Sequence, residues 1–279
     1  MFTLIQTLED LIFLNEELLK CPYVAVDTEF RRTTKDNMKL ALMQVNDSSE
    51  IYLIDCLQIK EPREACSFLS SPDPKKIFHS CREDIEAIYS WTNKGVLNIY
   101  DTQIANSLLG GTYSIGYQAL VKEKIGLKVN KDETRTNWLK RPLTEAQLNY
   151  AASDVYYLID LYRLQREEFS KTNKLEWLEE ESNKDSALDS FIELPRDKLF
   201  SIQKKEEKEI LNEFNNMVNK ISRIERINPT LLFSKQNQKI LVLNTLSLGL
   251  EIALQGITNW RSRLIKENFS ALMKSFGVS

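Results

Sequence analysis

The stretch that decides the fold of this chain is YVAVDTEF, at positions 23–30. Its first four residues are apolar or aromatic and lead directly into polar ones, which predicts a buried strand with acidic side chains at its end. Asp27 and Glu29 are two residues apart, so on a strand both carboxylates leave the same face and can approach one cation together. An acidic pair of this kind is also common by chance, and by itself it assigns no function.

Regular elements on both sides of this stretch predict an α/β fold. Strands are predicted at residues 38–45, 51–54, 75–79 and 98–100, and helices at residues 83–91, 102–109 and 115–125. The first two of these strands are separated by a turn and form a predicted antiparallel pair. Thr144 begins a capping sequence, and the apolar periodicity after it predicts one long helix that reaches Tyr162 and lies against the sheet.

The composition changes after this predicted long helix. Residues 166–189 are charged and show no strand pattern, and Trp177 is their large apolar residue. From about residue 191 onward the pattern is helical, and the last helix carries an apolar face formed by Ile265, Phe269, Leu272, Met273 and Phe276. We therefore predict a first domain at 1–170, a connecting segment at 171–190 and a small all-helical C-terminal domain at 191–279.

The composition also excludes several classes of protein. A chain of 279 residues with 42% apolar content can bury a substantial core. Acidic residues interrupt each apolar stretch near the N-terminus, so we predict no signal peptide, no membrane partner and a cytoplasmic location. The four cysteines form no Cys-x-x-Cys pair and the chain has one histidine, which disfavours a zinc site and predicts four reduced thiols.

The net charge of −3 is divided unevenly along the chain. Residues 191–279 contain 14 Lys and Arg against 9 Asp and Glu, whereas residues 1–190 contain 23 against 31. An acidic first domain is compatible with phosphate chemistry if some of its carboxylates hold metal ions, because bound cations reverse the local field. The positive surplus of the C-terminal part fits nucleic-acid binding, and it fits a solvated helix face equally well.

Two further acidic residues lie at places where they can join the first pair. Asp84 opens the helix after the strand at 75–79, where an acid also has a favourable contact with the helix dipole. Asp154 follows Tyr150 by four residues, so on a helix both side chains project from one side. A single tyrosine at such a position is more often a core aromatic residue with a bonded hydroxyl.

Three separated motifs give these residues a common context. They are VDTEF at 26–30, FHSCREDI at 78–85 and YAASDV at 150–155, and between them lie DTQI at 101–104 and ETRTNWLKRPLT at 133–144. In this order and spacing they resemble the DnaQ-like exonucleases, whose ribonuclease H-like fold is a mixed sheet flanked by helices, and in particular bacterial ribonuclease D, over about residues 3–170. The other branch of that superfamily carries a histidine five residues before the last aspartate. Here that position is Asn149, so the chain resembles the tyrosine branch, which has four acidic ligands.

The resemblance implies a hydrolase that removes nucleotides from 3′ ends with two divalent cations. Ligands that are all oxygen atoms indicate Mg²⁺ or Mn²⁺. The resemblance implies that Asp27 bridges both ions, Glu29 and Asp154 complete the ion on the nucleophile side, and Asp84 supports the ion at the leaving group. Tyr150 would orient the attacking water, since a phenol with a pKa of about 10 is a poor base unaided.

Other residues are candidate contacts to the nucleic acid. Arg135 and Arg141 can meet phosphates and Trp138 can stack on a base, although simple packing explains Trp138 equally well. His79, in the second motif, is a further candidate contact to the substrate, and a structural role near the site is favoured over that of a base. Residues 228–233 and 257–265 resemble one of the HRDC-like nucleic-acid-binding domains of ribonuclease D, in which Arg261, Arg263 and Lys266 are candidate phosphate contacts.

The predicted substrate is RNA with a free 3′ hydroxyl, and the resemblance implies transfer-RNA precursors, hydrolysed by a monomer. DNA stays open as an alternative substrate, because the contact to the 2′-hydroxyl that separates RNA from DNA has no readable motif. A catalytically silent nucleic-acid-binding scaffold is a third alternative. The intact set of acidic residues and Tyr150 disfavour it.

Overall fold

The computed structural model of the protein describes residues 2–34, 37–62, 64–129, 136–186 and 204–277. Six strands form one mixed sheet in the order β1-β4-β3-β2-β5-β6. Their bounds are Thr3–Ile5 (β1), Tyr23–Thr34 (β2), Asn37–Asn46 (β3), Ile51–Asp55 (β4), Lys75–Phe78 (β5) and Ile99–Asp101 (β6). Strands β2, β3 and β4 are antiparallel to their neighbours within this group, whereas β1 pairs with β4, and β5 with β2 and β6, in parallel.

Helices cover both faces of this sheet and continue beyond it. Those of the first part are α1 (Leu8–Leu18), α2 (Ser67–Ser70), α3 (Arg82–Thr92), α4 (Thr102–Leu108), α5 (Tyr117–Lys124), α6 (Glu145–Tyr156) and α7 (Leu158–Phe169). They are followed by α8 (Leu175–Ser186), α9 (Lys204–Glu225), α10 (Pro229–Leu232), α11 (Lys235–Leu248), α12 (Leu250–Gln255) and α13 (Asn259–Ser275). The α/β class, the mixed sheet and the C-terminal helices agree with the sequence prediction.

The two faces of β2 bury different cores because its side chains alternate. Val24 and Val26 belong to the apolar cluster on the side of α1 and α3. Ala25 belongs to the other cluster, which contains the small residues Ala151 and Ala152 of α6. Asp27 and Glu29 continue the series begun by Ala25, so they leave β2 on the side covered by α6.

Several elements differ from the prediction, and helices α1 and α2 are among those that were not predicted. The long helix expected from Thr144 to Tyr162 is wrong, because the chain leaves helical geometry at Tyr157 and divides it into α6 and α7. Its start is as predicted, since Thr144 and Gln147 form a reciprocal capping box. Strand β1 was not predicted, because three residues are too few to show periodicity and their pairing with β4 is distant in sequence.

The charged segment predicted to connect two domains contains α8, which joins the sheet domain to the C-terminal helices. The indole of Trp177 on α8 stacks on that of Trp260 on α13, with ring centroids 4.9 Å apart. Lys174 donates hydrogen bonds to the backbone carbonyls of Leu108 (3.2 Å) and Arg226 (3.3 Å), one on each side of the junction. The domain boundaries themselves stay predictions.

Two expectations from composition can be compared with the structure. The four cysteines are free thiols, as predicted. Within the part of the chain that the structure describes, no helix is both long and apolar enough to cross a membrane.

Candidate active site

The acidic pair of β2 lies beside an irregularity in the sheet. Asp27 pairs with Gln44 and Glu29 with Leu42 of β3, but the next residue of β2 pairs with Leu40. Ala41 is therefore an extra residue, a β-bulge opposite the end of the acidic pair. The change of register between β2 and β3 thus comes directly after the two carboxylates.

Helix α6 carries the second part of the site to the same face. Carboxylate oxygens of Asp27, Glu29 and Asp154 lie within 4.8 Å of one another, and all three residues are half-buried. The hydroxyl of Tyr150, one helical turn before Asp154, forms a hydrogen bond with its carboxylate. The structure thus brings together three of the predicted acids and the tyrosine, in a position that solvent can reach.

Asp84 reaches this group through a neighbouring hydroxyl. It is buried in the first turn of α3, and Thr28, the residue between Asp27 and Glu29, donates a hydrogen bond to its carboxylate. Burial, and after it the negative charge of nearby Asp27, raises the pKa of Asp84. All four predicted acids therefore lie at one place in the fold.

Sequence reasoning gave no role to Asp101, although it organises the approach to Asp84. Its carboxylate accepts hydrogen bonds from the backbone N–H groups of Ser80 (3.1 Å) and Cys81 (2.9 Å). It also accepts from Gln103 and Ile104, and so caps α4. One carboxylate thus joins the starts of α3 and α4, and an aspartate directly before a predicted helix was the signal that could have found it.

Crowding and burial disturb the ionisation of the acids. Burial raises the pKa of Asp27 to about 7. Burial also raises the pKa of Asp154 to about 8; the charge of Asp27 raises this pKa further, and the hydrogen bond from Tyr150 lowers it. Burial, followed by the charges of Asp27, Asp154 and Asp84, raises the pKa of Glu29 to about 9. The pKa of Asp84 is raised well above its usual value, first by burial and then by Asp27. Such a group of carboxylates is unfavourable unless cations or protons compensate the charge.

The donor set fits hard divalent cations. The carboxylates offer only oxygen atoms, which suits Mg²⁺ and Mn²⁺. Gln44, the cross-strand partner of Asp27, is fully buried, and neither atom of its side-chain amide has a hydrogen-bond partner in the described parts of the chain. A buried amide beside the carboxylates is consistent with a site that is completed by a ligand or its water.

His79 lies next to the site, but both ring nitrogens are engaged by the protein. Nε2 donates to the carbonyl of Ile115 at 2.8 Å, and Nδ1 lies 2.9 Å from the hydroxyl of Thr102. Burial lowers the pKa of His79, so the imidazole tends to stay neutral. These contacts agree with the structural interpretation of His79.

The predicted contacts with nucleic acid have different surroundings. Trp138 is 5% exposed and packs against Tyr150, with ring centroids 6.1 Å apart, which favours its packing interpretation. Arg141 pairs with Asp55 through two bonds of 2.6 and 2.7 Å, and its remaining donors bind the carbonyls of residues 41, 138 and 140. A phosphate contact by Arg141 is therefore not supported by its bonding, whereas Arg135 lies outside the described residues.

The fold and this group of acids match those of a known enzyme family. A profile of the family described as 3′-5′ exonuclease matches residues 2–168, more than half of the chain. The chain therefore belongs to the 3′-5′ exonuclease family. Its similarity to bacterial ribonuclease D is likewise confirmed by the relatives that match it.

Ribonuclease D of Shewanella sp. (strain ANA-3) is 39% identical over 163 residues, which cover 58% of this chain and 42% of the relative. Ribonuclease D of Pseudomonas paraeruginosa (strain DSM 24068 / PA7) is 41% identical over 141 residues, covering 50% of this chain and 38% of the relative. The match thus spans less than half of the length of these relatives.

Solved structures support the same fold. Ribonuclease D of Escherichia coli, described as an exoribonuclease involved in structured RNA processing, gives a TM-score of 0.66 at 25% identity, over 100% of this chain and 76% of that chain. NrnC of Brucella melitensis with bound Mg²⁺ gives a TM-score of 0.57 at 22% identity, over 67% of this chain and 94% of that chain. The predicted ribonuclease H-like fold is confirmed.

Proposed function

We propose that this chain is a divalent-metal-dependent 3′→5′ exonuclease that shortens RNA from its 3′ end. The observation that carries the proposal is the meeting of Asp27, Glu29 and Asp154 within 4.8 Å, with Tyr150 bonded to one of them. The family and the ribonuclease D relatives support a hydrolytic reaction, and the name of those relatives supports RNA as the substrate. The proposed substrates are transfer-RNA precursors with a free 3′ hydroxyl, and the proposed active form is a monomer.

Each residue of the site has a role in this proposal. Asp27, Glu29 and Asp154 would hold one Mg²⁺ or Mn²⁺ ion, and Asp27 with Asp84 would serve a second. Two bound cations supply the positive charge that activates water and stabilises the departing 3′ oxygen. Tyr150 would orient the attacking water, since its hydroxyl lies close enough to Asp154 to lower the pKa of that carboxyl by hydrogen bonding. The bonded His79 keeps the loop before α3 in place.

The C-terminal helices are proposed to bind RNA as an HRDC-like domain. The positive surplus of residues 191–279 supports this assignment, since phosphate neutralisation supplies much of the affinity for nucleic acids. Arg261 is an exception, because its guanidinium is bonded to Glu181 on α8 and to two backbone carbonyls. The RNA-binding surface is thus expected on other basic residues.

Incubation with labelled oligonucleotides tests the proposal directly. We expect wild-type protein to remove nucleotides one at a time from the 3′ end of RNA in Mg²⁺ or Mn²⁺ but not in EDTA, and a blocked 3′ end to resist. Folded Asp27→Ala should be inactive and serves as the control for a contaminating nuclease. Faster digestion of the matching DNA would make DNA the substrate, and binding without cleavage under every metal condition would favour the silent scaffold.

A further inference from the structure

The break between α6 and α7 contains a side chain from another helix. The hydroxyl of Tyr117, the first residue of α5, accepts a hydrogen bond from the backbone N–H of Tyr157 and donates one to the carbonyl of Ser153, both at 3.0 Å. In a continuous helix this N–H and this carbonyl are four residues apart and bond to each other. The tyrosine hydroxyl is thus inserted into the helical hydrogen-bond ladder, a recognised cause of a sharp break.

A second side chain holds the same turn from the sheet. Asn46 at the end of β3 donates from Nδ2 to the carbonyl of Val155 at 3.1 Å, and the carbonyl of Tyr156 lies 3.4 Å from the same nitrogen. Asn46 is buried and pairs with Ala25 of β2. The last turn of α6 is therefore fixed by α5 on one side and by the sheet on the other.

Asp154 lies inside this fixed turn, between Ser153 and Val155. Its carboxylate is the only acid of the 4.8 Å group that does not come from β2, so its position depends on how α6 ends. The ring of Tyr117 is itself placed by the edge of His79, with ring centroids 5.9 Å apart. His79 in turn is bonded to α4 through Thr102.

We propose that Tyr117, together with Asn46, is a positioning residue that sets Asp154 at the distance from Asp27 and Glu29 needed for a shared cation. The inference rests on the proposed function, because it assigns these residues to the metal site of that reaction. Without the hydroxyl, the N–H of Tyr157 and the carbonyl of Ser153 are free to bond directly. The helix then continues past Tyr157, and Asp154 turns away from the acidic pair.

Direct measurement of Mn²⁺ binding tests this inference without the reaction. Full-length wild type, Tyr117→Phe, Asn46→Ser and Asp154→Asn are titrated with Mn²⁺ alone, and free Mn²⁺ is followed by electron paramagnetic resonance. We expect Tyr117→Phe to weaken Mn²⁺ binding roughly 10-fold, the lower end of the usual effect of removing a group that orients a ligand. Asn46→Ser should shift the affinity in the same direction. Tyr89→Phe, which changes an exposed tyrosine of α3, is the matched control and should bind as wild type does.

A double variant separates positioning from general damage. If Tyr117 acts through Asp154, Tyr117→Phe should cause no further loss of Mn²⁺ affinity in an Asp154→Asn background. Wild-type affinity in both Tyr117→Phe and Asn46→Ser would overturn the inference, and so would an equal loss with and without Asp154. Circular dichroism shows which variants are folded, and Asn46→Ser carries the test if Tyr117→Phe is not. Wild type that binds Mn²⁺ but does not cleave RNA would remove the proposed function and leave this result intact.

Discussion

At the scale of single residues, the site holds several acids close together against their own repulsion. Carboxylate oxygens of Asp27, Glu29 and Asp154 lie within 4.8 Å of one another. The carboxylate of Asp84 lies beside them and accepts a hydrogen bond from Thr28. The raised pKa values express this repulsion together with the loss of solvation. Stability of the metal-free protein and affinity for metal must therefore both depend on pH, in opposite directions.

We expect the metal-free protein to become less stable as the pH rises from about 5 to about 9. In the unfolded chain these acids lose their protons near a pH of about 4. In the folded protein Asp27, Asp154 and Glu29 keep theirs until a pH of about 7, 8 and 9. The folded state thus binds more protons over this range, and its stability falls as they leave. Thermal unfolding in EDTA at several pH values measures this slope.

Two controls accompany that measurement. Asp27→Asn should flatten the slope, because it removes one acid and relieves its neighbours, and saturating Mn²⁺ should raise the melting temperature most at high pH. A slope that is the same in wild type and Asp27→Asn would show that the four acids do not titrate as a repelling group.

Tyr150→Phe tests the role of the tyrosine hydroxyl. The ring remains to pack against Trp138, but the bond to Asp154 and the contact with the attacking water are lost. We expect the single-turnover rate to fall roughly 10- to 1,000-fold, the effect of removing one positioning or proton-transfer group. Binding of RNA should stay close to wild type. An unchanged rate in the folded variant would reduce Tyr150 to a packing residue.

The sequence predicted the acids of this site for simple geometric reasons. Alternation on a strand puts Asp27 and Glu29 on one face, and the helical repeat aligns Tyr150 with Asp154. It could not predict Tyr117 or Gln44, because their contacts join elements that are far apart in sequence and leave no periodic pattern. The prediction that Arg141 contacts a phosphate has the same cause. Its partner Asp55 lies 86 residues away, so the sequence does not show that the two residues pair.

At the scale of elements, Arg141 connects the loop before α6 to the bulge of β3. Its guanidinium pairs with Asp55, which is 1% exposed, and donates to the carbonyl of the bulged Ala41 at 2.8 Å. The bulge lies opposite the end of the acidic pair, next to Glu29. Arg141 thus stabilises the irregular part of the sheet on which Glu29 depends.

Replacing Arg141 with Met separates this structural role from RNA binding. Removing one partner of a buried ion pair should lower the free energy of unfolding by about 3 kcal/mol, because Asp55 is left without its counter-charge. We expect the KM for RNA to stay near wild type, and the turnover number to fall as Glu29 loses its support. A raised KM, with a salt dependence of RNA binding flatter by about one unit, would instead mark Arg141 as a phosphate contact.

The helix from Thr144 shows what periodicity cannot decide. The apolar pattern runs through Tyr157 without interruption, so the sequence predicted one helix where the structure has α6 and α7. The break is caused by a hydroxyl that comes from α5 and not by a glycine or proline in the helix itself. The local sequence therefore predicted the start and the buried face of this element, whereas a tertiary contact determines where it ends.

At the scale of the whole molecule, the C-terminal helices are attached to the sheet domain at several points. The backbone N–H of Asn228 donates to the carbonyl of Ser107 at 3.0 Å, beside the bonds made by Lys174. On the other side of α8, Glu181 accepts hydrogen bonds from the indole of Trp260 and from Arg261. The basic C-terminal part is thus held against the sheet domain, and Arg261, which the sequence suggested as a phosphate contact, takes part in this attachment.

Arg261 and Arg263 offer a matched pair for testing this division of roles. The side chains of Arg261 and Glu181 are 11% and 10% exposed, so their ion pair is buried, whereas the side chain of Arg263 is 59% exposed and pairs loosely with Glu176 and Glu180. Arg261→Gln leaves a buried carboxylate without its partner, and we expect the free energy of unfolding to fall by about 3 kcal/mol. Arg263→Gln removes a surface pair and should change the free energy of unfolding by less than about 1 kcal/mol.

Urea denaturation of both variants measures the difference, and RNA binding at several salt concentrations shows whether either arginine neutralises a phosphate. If Arg261→Gln were as stable as wild type but lowered the salt dependence by about one unit, Arg261 would be an RNA contact, and the attachment of α13 to α8 would have to rest on the stacked indoles and on the hydrogen bonds that Glu180 and Glu181 accept from Asn259 and Trp260.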